Sequence, residues 1–259
     1  MKSTKLLSSE DAVSEVVDFV TILGLLVLSI GIIGVAGYPI VQNAQEANHI
    51  ENTKQSFVVL ANNVNKVVIG QAPSQSIELK MYGGSLSVTG SSSINITAVR
   101  YNSSASPPGN ENITLVDRPM RSIESTVGDT SIAYEGTGVW AKYPNGNTIL
   151  VSKPLITNQS NVLVIPIVTI GGISSTGGSG MSRVTVKGVP SVTFYKNVSN
   201  IIVTVNSTYF DGWKNYVNSV MSWNFCISGG GSGDCTGTLN TAKNVDVYIL
   251  NIQLDTEVE

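Results

Sequence analysis

The sequence predicts an α+β protein, in which a long N-terminal apolar and then amphipathic helix is followed by a mainly antiparallel β-sandwich head with one short helix. Two observations lead to this fold class. The segment from Phe19 to Gln45 contains no charged residue over 27 positions, and a helix needs roughly 20 apolar residues to cross a bilayer. Most of the chain after Ser74 alternates apolar residues with Ser, Thr or Asn, which is typical of half-buried strands.

Composition narrows the functional classes. Only 13% of the residues are charged and the net charge is −3, whereas a typical soluble domain has about 25% charged residues. Ser, Thr, Asn and Gly supply the polar surface instead, which favours a β-rich domain outside the cytoplasm. Because phosphate binding needs a basic face, nucleic acid is not an expected partner.

The flanks of the apolar segment predict its orientation. Lys2 and Lys5 precede it, and basic residues are enriched on the cytoplasmic side of membrane helices. The N-terminus is therefore expected in the cytoplasm before processing, and the C-terminal domain outside the cell. Tyr38 and Pro39 mark the outer end, where an aromatic ring suits the headgroup layer. The expected location is the cell membrane and cell surface, with membrane lipid as a partner.

Three kinds of N-terminal segment fit this pattern. A secretory signal peptide would be cleaved after Ala36, but the apolar region of such peptides has only about 7–15 residues. A simple signal anchor would keep the whole segment from Met1 onward. The third kind is cleaved before the apolar helix, and it depends on residues 11–17 (DAVSEVV).

Residues 11–17 resemble the start of archaeal type IV pilins and archaellins. In those proteins a short polar leader, the class III signal peptide, ends in a charged residue followed by Ala or Gly. A membrane-embedded prepilin peptidase cuts after the small residue. The resemblance implies cleavage between Ala12 and Val13 by a prepilin peptidase, and it implies that the apolar helix stays on the mature protein.

Four residues of the predicted mature helix are candidates for an assembly role. Carboxylates at the edge of an apolar helix are costly unless they are paired, and Glu15 and Asp18 lie there. One hypothesis is that either carboxylate pairs with the new Val13 amine of a neighbouring subunit; the other is that both lie in the headgroup layer. Gly24 and Gly31 lie two turns apart, and small residues on one face let helices approach closely. Self-association, or association with other pilins, would therefore use this helix.

An amphipathic helix pattern follows Pro39. Apolar residues recur in steps of three and four between Ala47 and Val68, which predicts a helix with one buried face. Gly70 and Pro73 are expected to end it. The predicted division is a leader at 1–12, a transmembrane or filament-core helix at 13–42, an amphipathic continuation at 43–73 and an extracellular β-rich head at 74–259.

Alternation and turn residues predict the strands of the head. Gly83-Gly84 predicts a hairpin between Ile77 and Val88. Asn145-Gly146 predicts a second hairpin, between Ile132–Tyr143 and Thr148–Val151. Further strands are expected at Val162–Ile170, Val184–Tyr195, Ile201–Val205 and Val245–Leu254.

One short helix interrupts the predicted strands. Phe210, Trp213, Val217 and Val220 share one helical face. This spacing indicates packing against a sheet rather than a binding site.

The sequence contains no recognisable catalytic motif. Neither glycine cluster, Gly177–Gly180 nor Gly229–Gly233, is followed by the Lys-Ser/Thr of a phosphate-binding loop. The stretch Gly171–Gly180 is predicted to be a flexible loop. Isolated carboxylates form no acid/base motif, and no cofactor, metal or catalytic residue is expected. We therefore do not expect an enzyme. The isolated carboxylates of the head include Asp117, Glu124, Asp129, Glu135 and Asp246.

Two cysteines, Cys226 and Cys235, flank a glycine-rich stretch. Outside the cell they can form a disulfide. Closing this loop of about 10 residues would contribute roughly 2.5–3 kcal/mol. Free thiols are the alternative, and a metal site would need two further ligands.

Six Asn-x-Ser/Thr sequons permit N-glycosylation of a domain outside the cell. A chain this rich in Asn, Ser and Thr contains several such sites by chance, so they do not themselves locate the domain. The sequons are at Asn95, Asn102, Asn112, Asn158, Asn197 and Asn206.

The leading functional expectation combines these features. An apolar helix can be surrounded either by lipid or by sister helices, so transfer from membrane to filament need not expose it to water. The chain is expected to be a structural subunit of an archaeal type IV pilus-like surface filament, and specifically a minor or adhesive pilin. The alternative is a membrane-tethered extracellular binding module that does not polymerise.

Overall fold

A computed structural model describes residues 10–172, 174–220, 224–225, 234–239 and 244–259. Within these ranges the helices are α1 (Glu10–Val68) and α2 (Phe210–Val220). The first seven strands are β1 (Ser74–Thr89), β2 (Ser93–Asn102), β3 (Gly109–Pro119), β4 (Ser122–Val127), β5 (Thr130–Glu135), β6 (Gly138–Lys142) and β7 (Thr148–Ser152). The remaining strands are β8 (Thr157–Gln159), β9 (Val162–Ile170), β10 (Ser175–Lys187), β11 (Ser191–Asn206), β12 (Asn224–Phe225), β13 (Asp234–Leu239) and β14 (Val245–Val258).

The chain divides into two units. The first ends at Asn48, and the second comprises His49–Glu259. Helix α1 is continuous through the boundary, so its last 20 residues belong to the second unit together with all strands and α2.

The strands form one hydrogen-bonded sheet with two parts, linked by β14. Sheet A has the order β7-β6-β5-β4-β1-β10 and is antiparallel throughout. In sheet B, β11 pairs with β13, β14 and β2. The pairing of β9 with β14 is parallel. At its C-terminal end, β14 pairs with β10 and thereby connects the two sheets.

The last turns of α1 cover one face of sheet A. Phe57, Leu60 and Val64 are buried there against residues such as Leu86 and Ile132. The amphipathic pattern of this part of α1 produces the contact, because residues at these spacings share one side of a helix.

The opposite face of sheet A is buried against sheet B and α2. Ala133 and Trp140 belong to this second core, whereas Ile132 and Tyr134 on the same hairpin belong to the first. Strands β5 and β6 are therefore buried on both faces. This layering confirms the predicted α+β class, with a long helix, a mainly antiparallel β-sandwich and one short helix.

A buried polar contact fixes α1 on this hairpin. The Asn65 amide Nδ2 donates to the Thr137 carbonyl oxygen at 3.1 Å, and the Tyr134 hydroxyl donates to Asn65 Oδ1 at 2.8 Å. The Asn65 side-chain amide and the Tyr134 hydroxyl therefore both have hydrogen-bond partners inside the core, where an unpaired polar group would be costly.

Several predicted elements are confirmed. The strand Val162–Ile170 is β9, the strand that begins at Val245 is β14, and the short helix is α2. The Asn145-Gly146 hairpin also forms, since Gly146 has φ of 85° and its N–H donates to the Tyr143 carbonyl oxygen at 2.9 Å.

The predicted hairpin at Gly83-Gly84 is wrong. Strand β1 continues through both glycines, and its two halves pair with the same neighbour, β10, with a register shift between Tyr82 and Ser85. The glycines form a bulge instead of a turn, because Gly83 adopts φ of 88° and Gly84 lies directly against the Thr126 backbone.

Three other predicted boundaries are also wrong. Most of the predicted loop Gly171–Gly180 is strand, because Ser175 onward pairs with β1 as part of β10. The predicted strand Ile132–Tyr143 is two strands, β5 and β6, because Gly136 and Thr137 both adopt positive φ and form a tight turn. The predicted strand Val184–Tyr195 is divided between β10 and β11 at residues 188–190.

Substitution of Gly84 by alanine tests the bulge. A Cβ at Gly84 would overlap the Thr126 carbonyl oxygen, and both are backbone-fixed. We expect Gly84→Ala to lower the free energy of unfolding by about 1–3 kcal/mol, measured by urea denaturation. Gly109→Ala is the matched control, because a Cβ at Gly109 meets no atom within 4 Å. Equal stability of the two variants would contradict the bulge.

Candidate anchoring and assembly site

The first unit presents an apolar helical surface. Large apolar side chains between Val16 and Val41 are exposed, with values such as 69% for Ile33 and 81% for Val35. In the described part of the chain, α1 is the one helix long and apolar enough to cross a membrane. The segment is therefore compatible with membrane anchoring.

Two hydroxyl side chains within this segment have hydrogen-bond partners in the helix itself. The Thr21 hydroxyl donates to the Val17 carbonyl oxygen, and the Ser29 hydroxyl donates to the Leu25 carbonyl oxygen, both at 2.7 Å. Such back-bonding satisfies hydroxyl groups where no water is present. The segment can therefore lie in hydrocarbon without an unsatisfied hydroxyl at either position.

The residues predicted for processing and assembly lie in α1. Ala12, Val13 and Glu15 are in its first turns, and Asp18 is exposed. A Cβ placed at Gly24 or at Gly31 would meet no atom within 4 Å. These two glycines therefore leave open space on the helix surface, two turns apart. The processing and assembly roles stay predictions.

The sequon asparagines lie in the second unit. The Asn102 amide donates to Glu111 Oε2 at 2.9 Å, and Asn95 and Asn102 are half-buried. The other four are exposed: Asn112, Asn158, Asn197 and Asn206.

The predicted disulfide falls largely outside the described residues. The backbone of Cys235 lies in β13, opposite Val205 of β11. Cys226 lies outside the described ranges, so the Cys226–Cys235 pairing stays a prediction.

Sequence reasoning missed a buried carboxyl at the centre of the second core. Glu135 is 1% exposed, and its Oε1 accepts from the Ser207 hydroxyl at 2.6 Å and from the Trp213 indole N–H at 2.9 Å. The Trp140 indole N–H donates to the backbone oxygen of Glu135 at 3.1 Å. Glu135 therefore links the β5–β6 hairpin to α2, which is a structural role.

Burial raises the pKa of the Glu135 carboxyl above its ordinary value. Hydrogen bonds from Ser207 and Trp213 favour the charged form and oppose this rise, but burial outweighs them. The stability that this carboxyl contributes is fully present below its ordinary pKa of 4.5 and is lost as pH rises through the raised pKa of the folded protein.

Glu135→Gln tests this linkage. The amide keeps an oxygen acceptor and removes the buried charge, so we expect a higher melting temperature than the natural protein at pH 7.5 and an equal one at pH 4. Glu257→Gln, at an exposed carboxyl of β14, should change stability by no more than about 0.5 kcal/mol at either pH. A Glu135→Gln variant that is less stable at pH 7.5 would contradict a raised pKa.

A second missed feature is an exposed apolar surface on sheet B. We call it the apolar patch, and it consists of the exposed Val192, Phe194 and Tyr248 with the half-buried Val164 and Leu250. Phe194 and Tyr248 lie opposite each other on β11 and β14, with ring centroids 4.6 Å apart. They are 46% and 36% exposed, and Val192 is 59% exposed.

Together these features define a class of protein. It has a mainly antiparallel β domain and one long N-terminal helix, whose exposed apolar part is compatible with membrane anchoring. Residues 12–256 match the model of a family described as "Family of unknown function (DUF7289)", and the chain belongs to this family. The matched range includes the exposed apolar helix as well as the β domain. No curated protein and no solved structure matches the chain.

Proposed function

We propose that this chain is a structural, non-enzymatic subunit of an archaeal type IV pilus-like surface filament, and that it serves as a minor or adhesive pilin. Prepilin peptidase cuts between Ala12 and Val13, with the N-terminus in the cytoplasm before processing. The apolar helix then holds the subunit in the membrane, with the β domain outside the cell.

The exposed apolar surface of α1 from Val16 to Val41 carries this proposal. So many apolar side chains need either lipid or other apolar helices around them. The family match supports the proposal, because it begins at Ala12 and includes this helix. The helix therefore lies within the part of the chain that the family model describes.

Electron microscopy of the natural cells tests the filament function. Gold-labelled antibodies against the β domain should decorate thin surface filaments, along their length or at their tips. The label should disappear in cells that lack the gene. A protein that is abundant in the membrane while no filament is labelled would contradict the proposal and leave the tethered binding module.

Substitution of the two carboxylates at the start of the helix tests how neighbouring subunits pair. In the proposed filament, Glu15 or Asp18 meets the Val13 amine of a neighbour, so the double variant Glu15→Gln with Asp18→Gln should reduce filament number at least about tenfold. Loss of one buried charge pair costs roughly 3–5 kcal/mol, which is enough for this effect. Membrane insertion should stay intact, as judged by fractionation.

The control replaces a carboxylate further along the same helix, Glu51→Gln. Glu51 is exposed and pairs with Lys54 of its own helix, so filament number should not change. Normal filaments in the Glu15 and Asp18 variant would place these carboxylates in the headgroup layer instead.

A further inference from the structure

The apolar patch continues a sheet face that α1 already covers in part. Leu250 of the patch packs against the buried cluster that includes Ile252 and Leu254, further along β14. The last turns of α1 cover that cluster. Tyr248 lies two positions before Leu250 on β14, and Phe194 lies opposite Tyr248 on β11. Both are exposed, because α1 does not extend over them.

Helix α1 covers this sheet face only as far as its own C-terminal end. The helix stops at Val68, and Gly70 turns the chain with φ of 76°. A Cβ at Gly70 would lie 3.2 Å from the Pro190 ring, so this turn sits beside the start of β11. The patch begins at Val192, two residues after Pro190, where no described element covers the face.

We propose that the apolar patch binds the N-terminal apolar helix of a second copy of this chain. This inference rests on the proposed filament function and names the surface through which one subunit holds the next. A helix on this sheet face is a packing that the fold already uses. Within the described residues, each copy carries an uncovered apolar helix and an uncovered apolar face, so the contact is head-to-tail and repeats from copy to copy.

The charges around the two surfaces are complementary. Lys196 follows Phe194 by two positions on β11 and is exposed. Between Asp18 and Asn48 the helix has no basic residue, and its charged residues there are acidic, Asp18 and Glu46. Asp246, two positions before Tyr248 on β14, already accepts the Asn197 backbone N–H at 2.9 Å. An acidic helix flank can thus meet Lys196 at the polar rim, while apolar side chains fill the centre.

Site-specific photo-crosslinking in the full chain tests the contact. A photoreactive phenylalanine analogue is placed at position 194 in membranes and in filaments of the natural cells, and the products are mapped by mass spectrometry. We expect an adduct of twice the subunit mass that joins position 194 to a residue between Val16 and Val41. The control position is Thr193, which lies opposite the buried Ile249 and so belongs to the other face.

The outcomes separate this inference from the proposed function. Labelled filaments without the adduct would overturn the patch contact and leave the filament proposal intact. The adduct without any filament would support the contact and reject the filament. Adducts only to lipid, to another protein or to the β domain of a second copy would each overturn the inference.

A pair of substitutions gives a second readout. Phe194→Ser with Tyr248→Ser should reduce both the dimer adduct, probed from position 192, and the filament number at least about tenfold, because aromatic side chains dominate most interfaces. Ser replacements of exposed residues should leave the melting temperature close to that of the natural protein. A matched control, Tyr101→Ser at another exposed aromatic, should retain the adduct and the filaments. Retention of both in the Phe194 and Tyr248 variant would also overturn the inference.

Discussion

Trp213→Ala is expected to lower the free energy of unfolding of the full chain by about 3–5 kcal/mol. Trp213 is 2% exposed, and the centroid of its ring lies 4.9 Å from the centroid of the Trp140 ring. It also fills the space above Gly136, where a Cβ would collide with the indole. Its removal leaves a cavity and takes one hydrogen bond from the buried Glu135 carboxyl. Urea denaturation of the detergent-solubilised chain, followed by circular dichroism, measures the loss.

Two controls separate the parts of this effect. Trp213→Phe keeps most of the ring but not the N–H, so its loss should be smaller, about 1–3 kcal/mol. Lys214→Ala changes the exposed neighbour on α2 and should cost no more than about 0.5 kcal/mol. A Trp213→Ala variant as stable as Lys214→Ala would show that α2 does not pack in this core.

Two lysines in the apolar helix are expected to abolish membrane retention. Leu25 and Leu28 are 60% and 59% exposed, and they lie one turn apart within the uncharged segment. Each exchange of Leu for Lys near the centre of a membrane helix costs about 3–4 kcal/mol, so Leu25→Lys with Leu28→Lys costs about 6–8 kcal/mol. The protein should leave the carbonate-washed membrane fraction, and surface filaments should be absent.

The matched control places two lysines further along the same helix, Gln55→Lys with Val59→Lys. Both side chains are exposed, and this part of α1 lies in the second unit. Membrane retention should be unchanged. A Leu25 and Leu28 variant that stays in the membrane to the same extent would contradict anchoring by this helix.

The fold class could be predicted from the sequence because each of the two patterns that indicate it extends over many residues. An uncharged run of 27 residues and extended alternation are properties of whole segments, so an error at one position does not change them. Local turns were less predictable. Gly83-Gly84 has the composition of a hairpin turn, and only the antiparallel partner on each side reveals that it is a bulge in β1.

The same limit applies to the candidate sites. The apolar helix could be predicted from the sequence because its apolar residues follow one another along the chain. The Glu135 cluster could not, since Ser207 and Trp213 lie more than 70 positions away and meet it only in the folded core. The apolar patch was hidden for another reason: Phe194 and Tyr248 alternate in their strands as core residues do, and exposure depends on where α1 ends.

The N-terminal residue of the mature protein, purified from its natural membranes, tests the central claim most directly. Edman sequencing or intact-mass analysis should find a chain that begins at Val13 and therefore retains the apolar helix. A mature chain that begins at Gly37 would contradict the claim, because the helix would then have been removed. A chain that still begins at Met1 would contradict pilin-type processing and leave a simple membrane anchor.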